Sequence, residues 1–370
     1  MELMKASSQW ASRPADERFT SLPAMASHMA LQTQHSRALT VSSRRLNVEP
    51  TDDHKGLVVR GANGHAYAPT HWAFGQLAQL AEAPAGYLRT MPAEIAADCL
   101  NYGLQFKRDI EDVGVLLARP VPGNDATEVL ADPVIKAATG PRYGRIWNKD
   151  IVSSLVHRFG DGITGDFRVP GIFGKPVDVT NANTTLYAGD RDMFVFLADE
   201  ENRIEIPNRR NGQSGSLARG FFVWNSEVGS TTFGLATFLF DYVCCNRIVW
   251  GATEYKEIKM RHTSAAPDRF LQEVTPALKH YAQSSTASIV DGIAQARAHR
   301  LDDVDDFLAK RFGKRTVDGL KAIHMLEEQR PIETLWDVST AVTAKARGIE
   351  YQDERVALER QAGDILDLAL

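Results

Sequence analysis

The chain has 370 residues, of which 44% are apolar and 24% charged, at a mean hydropathy of −0.26. These values describe an ordinary globular protein, long enough for one large domain or two of usual size. The net charge of −5 argues against nucleic-acid binding over the whole surface but leaves local basic patches open. The most apolar run, residues 233–243, is shorter than the roughly 18 residues a membrane helix needs and contains Thr237 and Asp241. It reads as core, and no membrane partner is expected.

The three cysteines are Cys99, Cys244 and Cys245. An odd number leaves one thiol over and adjacent cysteines rarely bridge, so a reducing cytoplasm fits better than a secreted disulfide framework. The ten histidines are scattered singly and no CxxC-like pair is present, so neither a metal nor another cofactor is expected.

In chain order, residues 1–50 carry six basic and four acidic groups among many Ser, Ala and Gln, and read as a flexible tail. Residues 51–265 alternate short strands, turns and a few helices. A strand at 57–60 ends in the turn cluster 61–64. A helix follows Thr70, with Trp72, Phe74, Leu77 and Leu80 mostly on one face. Pro92 starts another helix towards Leu100, residues 113–117 and 143–147 read as strands, and 149–159 as a helix with Ile151, Leu155 and Val156 inward. Two strands, 184–187 and 193–197, flank a tight turn, with Phe194 and Phe196 on one side and Val195 on the other.

Residues 200–220, poor in apolar side chains, read as a loop. A strand at 221–224 leads to Asn225 and Ser226, which read as caps of a buried helix over about 231–243, followed by a strand at 248–250. From 266 onward the period is helical, with Phe270, Val274 and Leu278 on one face, Ile289, Ile293 and Ala296 on another, and a break at Pro331. This part carries 14 basic and 18 acidic residues, which suits solvation or packing against another chain better than nucleic acid. The expected fold is α+β: a mixed, mainly antiparallel sheet with a buried central helix, then a helical C-terminal part.

The string Asn225-Ser226-Glu227-Val228-Gly229, followed by Val243-Cys244-Cys245-Asn246, resembles the hallmark of the phage- and plasmid-borne domain-of-unknown-function family 932. Arg142-Tyr143 before Trp147-Asn148 is similar to its Arg-Tyr-x-x-x-Asn segment, and Trp336-Asp337-Val338 with Ala341-Val342-Thr343 to its closing helix. The resemblance spans about 55–365. It implies a mobile-element protein engaged in DNA transactions, host defence or host takeover, an association rather than a mechanism.

The motif itself reads as structural. Asn225 and Ser226 accept from free helix N–H groups, Glu227 favours the positive helix end, and Gly229 permits close backbone approach; Cys244 and Asn246 belong to the same frame. No GxSxG surrounds Ser226, and neither GxxxxGK[ST] nor a well-placed GxGxxG occurs. The acidic cluster Asp302, Asp303, Asp305 and Asp306 reads as a salt-bridged helix face. Asp161, Asp166 and Asp178 lie in Gly-rich loops, which keeps a metal-dependent nuclease as a third reading.

Two basic segments stand out. Residues 203–220 carry Arg203, Arg209, Arg210 and Arg219 against Glu205, and 247–262 carry Arg247, Lys256, Lys259 and Arg261 against Glu254 and Glu257. With Trp224 and Trp250 between them, they form a candidate lip for single-stranded nucleic acid, where cations track phosphates and rings stack on bases. A single-strand binding, annealing or recombination-accessory role is the leading expectation. Self-assembly into a homo-oligomer through the helical part goes with it. The alternative is an interaction factor acting on a host or defence protein.

Overall fold

The computed structural model describes residues 13–61, 64–107, 112–121, 132–170, 178–210, 213–241, 246–248, 250, 257–349 and 352–370. Two sheets organise them. The smaller has the order β1-β5-β6-β4-β3-β2, from Ser36–Ser42 (β1), Asn47–Pro50 (β2), Leu57–Arg60 (β3), Ala66–Pro69 (β4), Asp112–Ala118 (β5) and Val134–Thr139 (β6). Its pairings are antiparallel except β4 with β6.

The larger sheet comprises Phe167–Arg168 (β7), Leu186–Ala188 (β8), Met193–Asp199 (β9), Ile204–Arg210 (β10), Gln213–Asn225 (β11), Phe233–Asp241 (β12), Asn246–Ile248 (β13) and Glu257–Met260 (β14). All its pairings are antiparallel, with β11 at the centre between β9 and β12. The fold is therefore α+β, with mostly antiparallel sheets and a helical C-terminal part.

The central helix expected over 231–243 is a strand, β12. Its residues Phe233, Leu235, Ala236, Phe238 and Leu239 are all buried. An apolar run covered on both faces carries no period-2 signal, so its pattern is the same for helix and strand. The composition decides: Phe233, Phe238 and Phe240 are favoured in strands, and β11 and β14 lie ready on its two edges. Alternation then sends Phe233 and Leu235 into one core and Ala236 and Phe238 into another. Each large side chain so buried stabilises the fold by roughly 1.5–3 kcal/mol. Gly234 lies beneath Trp224, where an added Cβ would stand 1.9 Å from the indole.

The segment 203–220, expected as a loop, is the hairpin β10–β11, in which buried Ile204, Ile206 and Leu217 alternate with Glu205 and Ser216. The expected tail is also ordered from residue 13. Leu22–Gln34 forms a helix (α1), capped by Ser21, that drives Leu22, Met25 and Met29 into the main core; residues 1–12 lie outside the described residues. Residues 143–147, expected as a strand, have no regular structure.

Helices His71–Leu80 (α2) and Ala93–Tyr102 (α3) cover the smaller sheet, and Asn148–Phe159 (α4) packs with α1 on the larger one. Thr275–Gln283 (α5) adds Leu278 and Tyr281 to that core, joined by Phe270 and Val274 from the preceding wide turn. Ala287–Ala298 (α6), Val304–Phe312 (α7), Lys314–Glu328 (α8), Leu335–Arg347 (α9) and Gln352–Leu366 (α10) build a second core against Leu217, Leu239 and Ile248. Asp303 caps α7, while Asp305 and Asp306 meet Lys321 and Lys310, the salt-bridged face expected from the sequence.

Candidate functional site

The turn Asn225–Gly229 between β11 and β12 is buried through Val228, with Gly229 at the surface, and joins the two sheets. No helix follows it, so its side chains do not cap one of their own. Asn225 Nδ2 donates to the Ile146 carbonyl and to Asn148 Oδ1, at 2.9 and 2.8 Å. Ser226 Oγ donates to the Arg191 carbonyl at 2.6 Å and accepts from the Val228 and Ser230 amides. Glu227 does meet a helix start, that of α4, accepting from the Asn148 amide at 2.9 Å with Lys136 Nζ 3.6 Å away.

From the smaller sheet's side, Trp72 Nε1 and Gln76 Nε2 both donate to the Val228 carbonyl, at 3.1 and 2.7 Å. Tyr143 donates to the Ser226 carbonyl and Arg145 Nε to that of Glu227, at 2.8 and 2.7 Å. The Arg145 guanidinium lies 5.4 Å over Tyr143 and 5.5 Å over Trp147. Gly229 has φ +80°, a left-handed conformation that a side chain would strain. So the segments 142–148 and 225–229, singled out separately in the sequence, meet in space. Trp336 and Asp337 also hold structure: Asp337 forms a capping box with Thr334 at the start of α9, and Trp336 is buried.

Two members of the expected basic lip, Arg219 and Trp250, do not reach the surface. Arg219 is 3% exposed and its Nη2 donates to Asp199 Oδ2 at 2.8 Å, while Nη1 donates to the Ser284 carbonyl at 2.6 Å. It ties β11 to β9 and to the end of α5 instead of facing solvent. Trp250 is 2% exposed in the second core, with its Nε1 donating to Asp367 Oδ1 at 2.7 Å. Trp224, half-buried, stacks on Phe222 with ring centroids 5.3 Å apart. Trp250 offers no free face for a base. Both tryptophans lie in segments expected as strands, and what the sequence did not show is that Trp250 packs into the core built by the C-terminal helices.

Arg203 is half-buried and pairs with Glu200 at 3.2 Å. Lys259 and Arg261 are exposed at and just beyond the end of β14. Arg209 and Arg210 stand in β10, and Arg247 and Asn246 in β13, but their side chains lie outside the described residues, as do Cys244, Cys245 and Lys256 altogether. Among the described residues, no cluster of His, Cys, Asp or Glu has metal-site geometry, and Asp161 spends its carboxylate on the Ile163 and Thr164 amides of its own turn. No described helix is long and apolar enough to cross a membrane.

A cationic site does exist elsewhere. An open groove of about 570 Å³ runs between α4 and α5, lined by Ser154, His157 and Arg158 from one helix and Thr275, Lys279 and Gln283 from the other. No carboxylate lines it, and His157, Arg158 and Lys279 have no carboxylate partner among the described residues. Arg158 lies 5.3 Å over Phe159, and its Nε is buried with no hydrogen-bond acceptor. Cations in the last turn of a helix complement its dipole, which accounts for His157 and Arg158 but not for Lys279 across the groove. The sequence reading missed this site because its halves lie more than a hundred residues apart. The only local signal was the basic pair closing a correctly expected helix.

No family model, no curated protein and no solved structure matches this chain.

Proposed function

We propose that this chain binds nucleic acid through its phosphate backbone, in the groove between α4 and α5. The observation that supports the reading is the convergence of Arg158 and Lys279 from two helices on one concave surface without a carboxylate, in a chain of net charge −5. Ser154 and Thr275 add hydroxyl donors of the kind that position phosphates. The one ring in the groove's lining is that of His157, with no Phe, Tyr or Trp beside it, so strand type is read weakly, and single strands and duplexes bind with comparable strength per phosphate. The resemblance of the 225–229 turn to a mobile-element family agrees with work on DNA.

Fluorescence anisotropy with labelled single-stranded and duplex DNA tests this. Two permanent cations give a salt slope of about −1.4 on single strands, hence about sevenfold weaker binding on going from about 50 to about 200 mM salt. Arg158→Ala combined with Lys279→Ala abolishes that slope, while the unfolding free energy from urea titration moves by no more than about 0.5 kcal/mol. Absence of binding at micromolar protein, or binding unchanged in the double variant, refutes the assignment.

A further inference from the structure

The groove between α4 and α5 is bordered by two polar stripes, one from each helix. Ser154, His157 and Arg158 share one side of α4, and Thr275, Lys279 and Gln283 share one side of α5, all at helical spacing. Leu278, nearly fully buried, also lines it. Arg158 and Lys279 carry permanent charge. His157 is the third basic group on this surface, and its charge depends on a proton. It is exposed, and its ring has no hydrogen-bond or ion-pair partner among the described residues.

No acidic residue lines the groove beside His157. The charged groups there are Arg158 on its own helix and Lys279 on α5, while His280 and Tyr281 of α5 lie outside the lining. Helix α1, which packs against α4, carries His28 as its one titratable group, buried beside Phe19 and hydrogen-bonded to Gln32. The carboxylates that flank the two helices in sequence are engaged elsewhere. Asp150 lies beside Lys149, Asp161 holds amides of its own turn, and Glu273 pairs with Arg269. A phosphate held by Arg158 and Lys279 therefore brings the one negative charge to this surface, and a negative charge beside an imidazole favours its protonated form. Phosphate binding and proton uptake then reinforce each other.

We infer that His157 is a third phosphate contact of this groove, made when its ring is protonated, so that nucleic acid is held more tightly in mildly acidic solution. This assignment rests on the phosphate reading of the groove. Fluorescence anisotropy with labelled oligothymidylate tests it, since no group of that strand titrates near neutrality. At about pH 8 the parent shows the two-cation salt slope of about −1.4, and at about pH 6 a third cation makes it about −2.1. Going from about 50 to about 200 mM salt then weakens binding about eighteenfold at the lower pH, against about sevenfold at the higher. His157→Gln keeps the slope at about −1.4 at both pH values, and His157→Lys, a permanent cation, at about −2.1 at both. Position 157 is exposed, so far-UV circular dichroism of either variant matches the parent. A parent slope that does not change with pH overturns the inference and leaves the groove reading in place, as does a pH effect that survives in His157→Gln. Absence of binding at both pH values overturns the two together.

Discussion

The turn at Asn225–Gly229 and the groove between α4 and α5 put polar residues to opposite uses. In the turn, side chains that look chemically capable are consumed by structure: Ser226 holds the Arg191 carbonyl, Glu227 the start of α4, and Asn225 the Ile146 carbonyl. In the groove, ordinary helix residues carry their charge without a counter-ion, and Arg158 and Lys279 line one surface with no carboxylate among its residues. A buried polar group must be matched by a partner, so a dense polar motif inside a protein is first a joint. A concentration of unmatched like charge costs stability and calls for a ligand. The contrast predicts that changes at the centre of the larger sheet act on folding and changes at the groove on binding.

The largest effect is expected at Arg219, the residue that best separates the two regions because it is basic yet buried. Arg219→Met leaves the Asp199 carboxylate, fully enclosed, without its cation. Breaking a buried pair from one side costs about 3–5 kcal/mol. Urea unfolding should show that loss, and Asp199→Leu added to Arg219→Met should recover part of it, since the uncompensated charge is then gone. A variant as stable as the parent would mean that Arg219 is not the tie described here. A smaller loss is expected at the turn. Asn225→Ala removes the donor that satisfies the Ile146 carbonyl and Asn148 Oδ1, costing about 1–3 kcal/mol. The DNA binding proposed for the groove should be unchanged at temperatures where that variant stays folded.

Much of the smaller sheet and the helical part was legible because one face of each element is solvated. The strand at Leu57–Arg60, the Thr70-capped helix His71–Leu80 and the helical faces through Phe270, Val274, Leu278 and Ile289, Ile293, Ala296 stand where their patterns put them. The larger sheet was harder for the opposite reason. β12 is covered on both faces, and its all-round apolar sequence suited a helix equally well. The polar run before β11 concealed an edge hairpin, whose alternation of Ile204 and Ile206 with Glu205 is short and diluted by Asn and Arg. That misreading moved the site. With 203–220 taken as a loop, Arg219 became a surface residue, and the pairing of α4 with α5 is a tertiary fact that no local pattern encodes.

The smallest effect concerns the contact between the turn's surroundings and the chain after β14. His262 stacks on Tyr143, ring centroids 4.9 Å apart, and its Nδ1 faces the Gly144 carbonyl at 3.1 Å. Burial, aided by the neighbouring Arg145, lowers its pKa below the usual histidine value although the Gly144 carbonyl opposes this; His28 is lowered likewise, by burial and then by Lys136. A histidine with a depressed folded pKa binds its proton more readily in the unfolded chain. Its contribution is therefore complete above about pH 6.5 and is lost as pH falls below that value, by at most about 1.4 kcal/mol per pH unit for each such group. Urea midpoints measured at pH 7.5 and 5.5 should fall with acidification, and His262→Phe, which keeps a ring against Tyr143, should make the fall shallower. A parent protein that gains stability on acidification, or a variant with the same slope, would show that His262 is as free to take up a proton in the fold as out of it, and that this junction is looser than the turn it adjoins.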